Sequence, residues 1–178
     1  MAVSTINGLE PDTEQTLVKR RALYAATTIT LSVIMGLGIV DAIGWFDAYG
    51  VDTATVRAEG GGYRLEVEFP SVSRPALASP FEITVTRAGG FDGPITVAVS
   101  RDYLAMWDEN GLVPAPAGER TAGEMVHWEF DPPVGDELTV FFDARIEPAA
   151  QSGRTGRVAV IEDDAAVVEV EFRTEVRP

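Results

Sequence analysis

The sequence contains no cysteine and a single histidine, His127. A chain without cysteine has no disulfide bond, no thiolate metal ligand and no cysteine nucleophile. With only one histidine, it also cannot build a zinc site from several imidazoles. Lysine occurs once, at Lys19, beside thirteen arginines. These absences predict a protein with no cofactor and no resident transition metal.

Catalytic motifs are absent as well. The sequence has no G-x-S-x-G, no P-loop and no dinucleotide-binding fingerprint. The run Gly60-Gly61-Gly62 predicts a turn, because no helical pattern follows it to hold a phosphate. His127 is expected on the solvent face of a strand, beside Glu129. We therefore expect no catalytic residues and no enzymatic activity.

Acidic residues outnumber basic ones by 28 to 14, which gives a net charge of −14. The excess lies almost entirely from Asp47 onward, where there are 24 acidic and 11 basic residues. Such a surface repels nucleic acid, anionic lipid head groups and anionic wall polymers. A soluble surface, an adaptation to salt and a cationic partner all fit this excess. Calcium is a further alternative, at Asp108-Glu109-Asn110 or Glu162-Asp163-Asp164.

One stretch, residues 22–46, is long and apolar enough to cross a bilayer. The nineteen residues from Ala22 to Val40 carry no charge. As a helix they extend about 28 Å, close to the roughly 30 Å of a hydrocarbon core. The stretch predicts one transmembrane helix. A cleaved signal peptide is the alternative, with Ala42-x-Gly44 as its cleavage site.

The charges that flank this stretch predict its orientation. Lys19, Arg20 and Arg21 precede it, whereas the next positive charge after it is Arg57. Positive residues stay on the cytoplasmic side, so we expect a single-pass protein of the plasma (inner) membrane with a cytoplasmic N-terminus and an extracytoplasmic C-terminal domain. The residues predicted at the two membrane interfaces are Lys19, Arg20, Arg21, Tyr24, Asp41, Trp45 and Tyr49.

Small residues recur along one face of the predicted span, at Thr28, Ser32, Gly36 and Gly44. Positions four apart share a helix face, and small side chains there allow a second helix to approach closely. Such residues are also ordinary in membrane helices. The stripe predicts a helix-packing interface with a polytopic membrane protein or with another copy of the chain.

After Gly50 the apolar residues alternate with polar ones, which is typical of strands that pack on a core from one side. Five such runs, two shorter runs that are apolar on both faces or nearly so (94–99 and 157–161) and a weak strand (51–58) are separated by glycine, proline and aspartate turns. This pattern predicts an all-β domain, an antiparallel immunoglobulin-like β-sandwich of about seven to eight strands, with Trp128 as its central aromatic residue. The predicted organisation is a tail (1–21), a transmembrane helix (22–46), a short linker (47–50) and the extracytoplasmic domain (51–178).

A short helix is predicted between two strands, from Ser100 to Asn110, capped by Ser100 and ended by Gly111. It carries two aromatic residues close to a cluster of oxygen-bearing side chains. Exposed aromatics beside polar groups are typical of binding surfaces. The possible loop-binding region predicted here comprises Tyr103, Trp107, Asp108, Glu109 and Asn110.

Several segments of the outer domain carry a family resemblance. They are FEITVTRAGGFDGPITVAVS, RDYLAMWDENGL, WEFDPP and ARIEPAAQSG. Together with the membrane anchor, they resemble small uncharacterised actinobacterial envelope proteins that occur beside polytopic membrane proteins of the DUF421 (YetF-like) type. The resemblance covers nearly the whole outer domain and implies an accessory role. It assigns no functional residues.

These features predict a non-enzymatic membrane protein, an accessory or interaction subunit of a membrane protein complex that presents an acidic β-sandwich outside the membrane. The alternative is a free-standing anchored recognition module that binds a protein or a glycan through its loops. The fold does not decide between the two.

Overall fold

The computed structural model describes residues 14–42 and 50–177. The chain divides into two compact units, Met1–Tyr49 and Gly50–Pro178. The described part of the first unit is one helix, α1 (Glu14–Ala42). It begins within the segment predicted as a tail, so the three positive residues lie on the helix itself. The predicted boundaries at 21, 46 and 50 stay predictions.

Helix α1 contains a 23-residue stretch, Leu17–Ile39, that is long and apolar enough to cross a membrane. Its described side chains are exposed on all sides, apart from the partly exposed Gly36. Apolar side chains all round a helix are typical of a membrane span rather than of a soluble surface helix. An anchor and a signal sequence share this property, so the choice between them depends on the topology experiment below.

The second unit is mostly β, with ten strands and one short helix, α2 (Arg101–Leu104). The strands are β1 (Asp52–Gly60), β2 (Tyr63–Ser73), β3 (Glu82–Arg87), β4 (Ile95–Ser100), β5 (Trp107–Val113), β6 (Gly118–Ala122), β7 (Met125–Phe130), β8 (Glu137–Ile146), β9 (Arg154–Glu162) and β10 (Ala165–Val176). The sequence pattern predicted about seven to eight strands, and β5 and β6 are the two it missed.

The strands form one curled sheet with the order β5-β8-β3-β2-β10-β9-β4-β7-β6. The remaining strand, β1, pairs with β2 outside this order. Neighbouring strands pair antiparallel, with one exception. The end of β10 pairs parallel with β2, Glu175 opposite Val72 and Val176 opposite Ser73. The prediction of a wholly antiparallel domain is therefore wrong at this pair.

The sheet curls, and side chains from its two halves share one core. The first half consists of β1, β2, β3, β5 and β8, and the second of β4, β6, β7, β9 and β10. Trp128 on β7 contacts Phe142 on β8, with ring centroids 5.4 Å apart. Phe69 on β2 and Phe172 on β10 lie 4.5 Å apart. Trp128 is 2% exposed, which confirms its predicted inward direction.

Two central strands of the second half, β4 and β9, are apolar on both faces. Val97 and Val160 lie in the core, while Ala98 and Ala159 face the other way and are buried as well. The two alanines are directly opposite each other in the sheet. This burial explains the nearly continuous apolar runs in the two segments.

The turns follow the sequence signals closely at two hairpins. Gly61 and Gly62 connect β1 to β2 with φ of 57° and 81°. Asp163 and Asp164 connect β9 to β10 with φ of 49° and 60°. Two successive residues with positive φ match the right-handed twist of a hairpin. Asn110 and Gly111, where the predicted short helix was expected to end, instead lie within β5, where the pairing with β8 shifts register between Glu109 and Gly111.

Candidate functional site

The predicted packing stripe lies on α1 for three of its four residues. Thr28 and Ser32 are exposed, and Gly36 is partly exposed. Apart from the helix's own backbone, a Cβ added at Gly36 would meet no atom of residues 14–42 and 50–177 within 4 Å. The hydroxyls of the neighbouring Thr27 and Thr30 donate to carbonyl groups four residues earlier, at 2.9 Å each. The surface around Gly36 is therefore open. Gly44 lies outside the described residues.

The predicted interface residues are only partly within the structure. Lys19, Arg20, Arg21 and Tyr24 are exposed on α1. Asp41 lies in the last turn of the same helix. Trp45 and Tyr49 lie outside the described residues.

The two aromatic residues of the predicted loop-binding region belong to the core, so their assignment to a binding surface is wrong. Tyr103 lies on α2 and is fully buried, with its hydroxyl 2.9 Å from the Thr174 hydroxyl. Trp107 opens β5 and stacks on Phe81 at 5.7 Å. Helix α2 ends at Leu104, earlier than predicted, because the chain continues into β5 from Trp107.

The polar residues of that region lie on strand β5 rather than in a loop. Asp108 accepts two hydrogen bonds from Arg145 on β8, at 2.8 and 2.6 Å. Burial raises the pKa of Glu109, and the nearby Glu119 on β6 raises it further. Asn110 is exposed at the register shift. Asp108 is thus held in an ion pair and all three residues lie in a strand, while a binding role for these polar residues stays a prediction.

The Ser100 hydroxyl does not cap α2, contrary to the prediction. Its side chain makes no cap hydrogen bond and instead accepts one from the backbone N–H of Arg157 on β9 at 3.0 Å. Ser100 therefore ties β4 to β9 where β4 runs into the helix.

His127 is buried, which corrects its prediction as a surface residue. It lies on β7 between Ala98 of β4 and Arg120 of β6, and it is 8% exposed. Its Nδ1 atom has no hydrogen-bond partner within the described part of the chain. Burial lowers the pKa of His127 and Arg120 lowers it further, while Asp164 opposes them. The Arg120 guanidinium donates to Asp164 at 3.0 Å, which brings the β9–β10 turn to this face.

Several of the clustered acids proposed for calcium are engaged by other side chains, as Asp108 is by Arg145. Glu162 accepts a hydrogen bond from the Tyr63 hydroxyl at 2.6 Å, and Asp164 accepts one from Arg120. Within residues 14–42 and 50–177, no three histidine or acidic side chains are placed to hold a metal ion. The calcium alternative thus gains no support from the geometry.

One exposed apolar pair lies on the outer face of the sheet. Phe141 on β8 is directly opposite Val113 on β5, and the two are 50% and 61% exposed. Phe141 points outward, since its neighbours Val140 and Phe142 on the same strand are buried. We name the pair and its acidic neighbours Glu82 and Glu68 the Phe141 row.

Comparisons with known proteins give the following results. No family model matches the chain, and no curated protein matches it. A chain of a cohesin–dockerin complex is similar over 59% of this chain and 93% of its own length, with 12% identity and a TM-score of 0.40. A beta-glucosidase from Listeria innocua is similar over 72% of this chain, but over only 16% of the enzyme, with 13% identity and a TM-score of 0.36. Likeness at this level carries no conclusion about function.

Proposed function

We propose that the protein is a non-enzymatic, single-pass membrane protein that acts as an accessory subunit of a membrane protein complex. Helix α1 holds the chain in the bilayer and packs against a partner helix. The acidic β domain lies outside the cytoplasm and covers or contacts the partner. In this proposal the N-terminus is cytoplasmic and the membrane is the plasma membrane.

The observation that supports this proposal best is the open surface around Gly36. Thr28, Ser32 and Gly36 follow one face of an apolar helix, and a Cβ added at Gly36 meets, apart from the helix's own backbone, no atom of the described residues within 4 Å. Lipid gives little hydrophobic drive for helices to associate, so close packing at small residues supplies much of the attraction. A second helix fits this face without displacing any part of the described chain.

We also infer an immunoglobulin-like sandwich for the β domain. The strands fall into a group β5-β8-β3-β2-β1 and a group β6-β7-β4-β9-β10, and the short β10–β2 pairing is the strand pairing between them. Contacts such as Trp128–Phe142 join the two groups through the core. Two sheets packed over a shared core are the basis of such sandwiches, which serve widely as interaction domains.

Co-purification tests the proposal. The full chain, solubilised in mild detergent, should retain a polytopic membrane protein or a second copy in a fixed ratio. The resemblance to envelope proteins beside DUF421-type proteins makes that type the first partner to test. A lone monomer that instead retains a soluble protein or a glycan would favour the alternative, an anchored recognition module.

The variant Gly36→Leu tests whether α1 makes the contact. Leucine adds bulk to the open face without lowering hydrophobicity, so the chain should stay in the membrane. We expect the amount of co-purified partner to fall by about fivefold or more, as a lost contact of about 1 kcal/mol or more requires. The control is Ile34→Leu, on another face of the helix, which should leave the amount unchanged. Equal recovery from both variants would make α1 an anchor only.

A further inference from the structure

The Phe141 row crosses the outer face of four neighbouring strands. Val113 on β5 lies opposite Phe141 on β8, Phe141 opposite Glu82 on β3, and Glu82 opposite Glu68 on β2. Residues directly opposite in a sheet point to the same side of it, with Cβ atoms about 5 Å apart. The row thus has an apolar half next to an acidic half.

The acidic half is electrostatically unfavourable for this chain alone. Glu68 and Glu82 are directly opposite like charges, an arrangement that destabilises a sheet. Neither forms an ion pair with any described residue, and Glu82 only accepts a 3.3 Å hydrogen bond from Thr84. Arg57, two positions away on β1, is occupied by Glu66 at 2.7 Å. No basic group of the described residues lies within 4 Å of either carboxylate.

The apolar half is equally unusual for an exposed position. Phe141 and Val113 are each at least half exposed, and their neighbours along the same face are polar. Val113 is the last residue of β5, which lies at the edge of the sheet and pairs only with β8. Aromatic residues are enriched at the centres of protein interfaces, and arginine, the cation that would pair with the two glutamates, is enriched there with them.

The charge of the row selects the kind of partner. A second copy in the same orientation would bring the same two glutamates against themselves, and anionic lipid would be repelled. A cationic side chain placed between Glu68 and Glu82 would convert their repulsion into two attractive pairs, while an apolar side chain beside it would cover Phe141 and Val113.

We propose that the Phe141 row is a docking surface for a polypeptide segment that presents arginine or lysine beside an apolar residue. This inference rests on the proposed function and specifies which surface of the β domain contacts the partner. The guanidinium of arginine fits best, because it pairs with carboxylates in two directions.

A peptide titration on the full chain tests the surface. The chain is placed in a nanodisc of uncharged phosphatidylcholine, and the probe is a fluorescein-labelled octapeptide of alternating arginine and leucine. A reference peptide carries citrulline in place of arginine, which keeps the shape and removes the charge. Anisotropy is measured at low salt, because surface ion pairs are screened at high salt.

Two matched pairs of variants complete the experiment. The double variant Glu68→Gln with Glu82→Gln is compared with Glu169→Gln with Glu171→Gln, which changes the net charge equally on β10. Phe141→Thr is compared with Val134→Thr, another exposed apolar residue, which lies between β7 and β8. We expect the first member of each pair to lose about three- to tenfold in affinity and the second member to lose less than twofold.

Equal losses from both glutamine pairs would indicate general charge attraction and overturn the proposed docking surface. An unchanged affinity for Phe141→Thr, or no binding of the arginine peptide, would overturn it as well.

The result is separable from the proposed function. If the chain retains its membrane partner while the Phe141 row binds no peptide, the surface is wrong and the accessory role stands. If the row binds but Gly36→Leu and the parent co-purify nothing, the accessory role fails and the surface stands.

Discussion

At the scale of single residues, Trp128 connects the two halves of the β domain. Its ring contacts Phe142 of the other half, and its Nε1–H donates to Glu119 at 2.9 Å. Replacement by alanine removes a buried aromatic side chain and leaves a cavity, so Trp128→Ala should lower the free energy of unfolding by about 3–5 kcal/mol. Urea unfolding of the full chain in mild detergent, followed by circular dichroism, measures this change.

The matched control for Trp128 is Phe141→Ala, since Phe141 is aromatic but half exposed. We expect it to change the free energy of unfolding by about 0.5 kcal/mol or less. A Trp128→Ala variant as stable as this control would show that the ring contributes little to the core.

His127 makes the stability of the β domain depend on pH. Burial lowers the pKa of its imidazole from the ordinary 6.5, so the unfolded chain binds a proton more readily than the folded one. The contribution of His127 is therefore fully present above about pH 6.5 and is lost as the pH falls through the lower, folded-state pKa. Protonation would also place a second charged N–H at the unpartnered Nδ1.

His127→Gln should remove this part of the pH dependence. Between about pH 7.5 and pH 5, the free energy of unfolding of the parent should fall more steeply than that of the variant, by at most about 1.4 kcal/mol for each pH unit. The slopes are compared rather than the absolute values, because the substitution changes packing as well. Identical slopes would mean that His127 does not titrate differently on folding.

These two neighbours show what alternation reveals about a residue. The pattern gave Trp128 and His127 opposite faces of β7, which is correct, and predicted only Trp128 to be buried. His127 is buried as well, because small Ala98 lies beside it and the Arg120–Asp164 pair joins β6 to the β9–β10 turn. A period of two identifies the face of a strand, but it does not show what covers that face.

At the scale of elements, β9 and β10 pack too closely for a side chain at Gly156. A Cβ there would lie 2.6 Å from the Phe172 ring and 2.9 Å from the Tyr103 ring. Both rings belong to the core and cannot move without displacing their neighbours. Gly156→Ala should therefore lower the free energy of unfolding by about 1–3 kcal/mol.

Gly118 on β6 provides the control. A Cβ there meets only the Glu129 Cβ, at 3.8 Å, which is an ordinary contact. Gly118→Ala should change the free energy of unfolding by about 0.5 kcal/mol or less. The urea midpoint should therefore shift little. Equal effects of the two alanines would show that conformational freedom of glycine, rather than space, determines the outcome.

The sequence predicted eight of the ten strands, and the two that it missed have a common cause. β6 consists of Gly118–Ala122, which are nearly all exposed and show no alternation of apolar residues. β5 combines a buried tryptophan with three polar residues and a register shift, so its pattern resembles a loop. Both are edge strands of the sheet, where pairing on one side suffices and few apolar contacts are needed.

At the scale of the whole molecule, the distribution of charge and hydrophobicity separates the chain into two parts with different surroundings. The apolar stretch Leu17–Ile39 has no buried residue, whereas the β domain carries its own apolar core and nearly all of the negative charge. The composition of the chain alone revealed this division. The predicted loop-binding region was less accurate. Tyr103 and Trp107 were expected on the surface, but both pack in the core.

Three positive charges on α1 predict the orientation of the chain. Lys19, Arg20 and Arg21 lie at the N-terminal side of the apolar stretch, and the next basic residue, Arg57, lies in β1. Transfer of these three cations across the membrane is unfavourable, so the N-terminus should stay in the cytoplasm and the acidic domain should be exported.

Protease added to intact cells should then remove a C-terminal epitope and spare an N-terminal one in a small membrane fragment. Permeabilised cells, as the control, should lose both. A protected C-terminal epitope would reverse the orientation, and a mature chain that begins after Gly44 would identify the helix as a signal peptide and remove the anchor on which the proposed function depends.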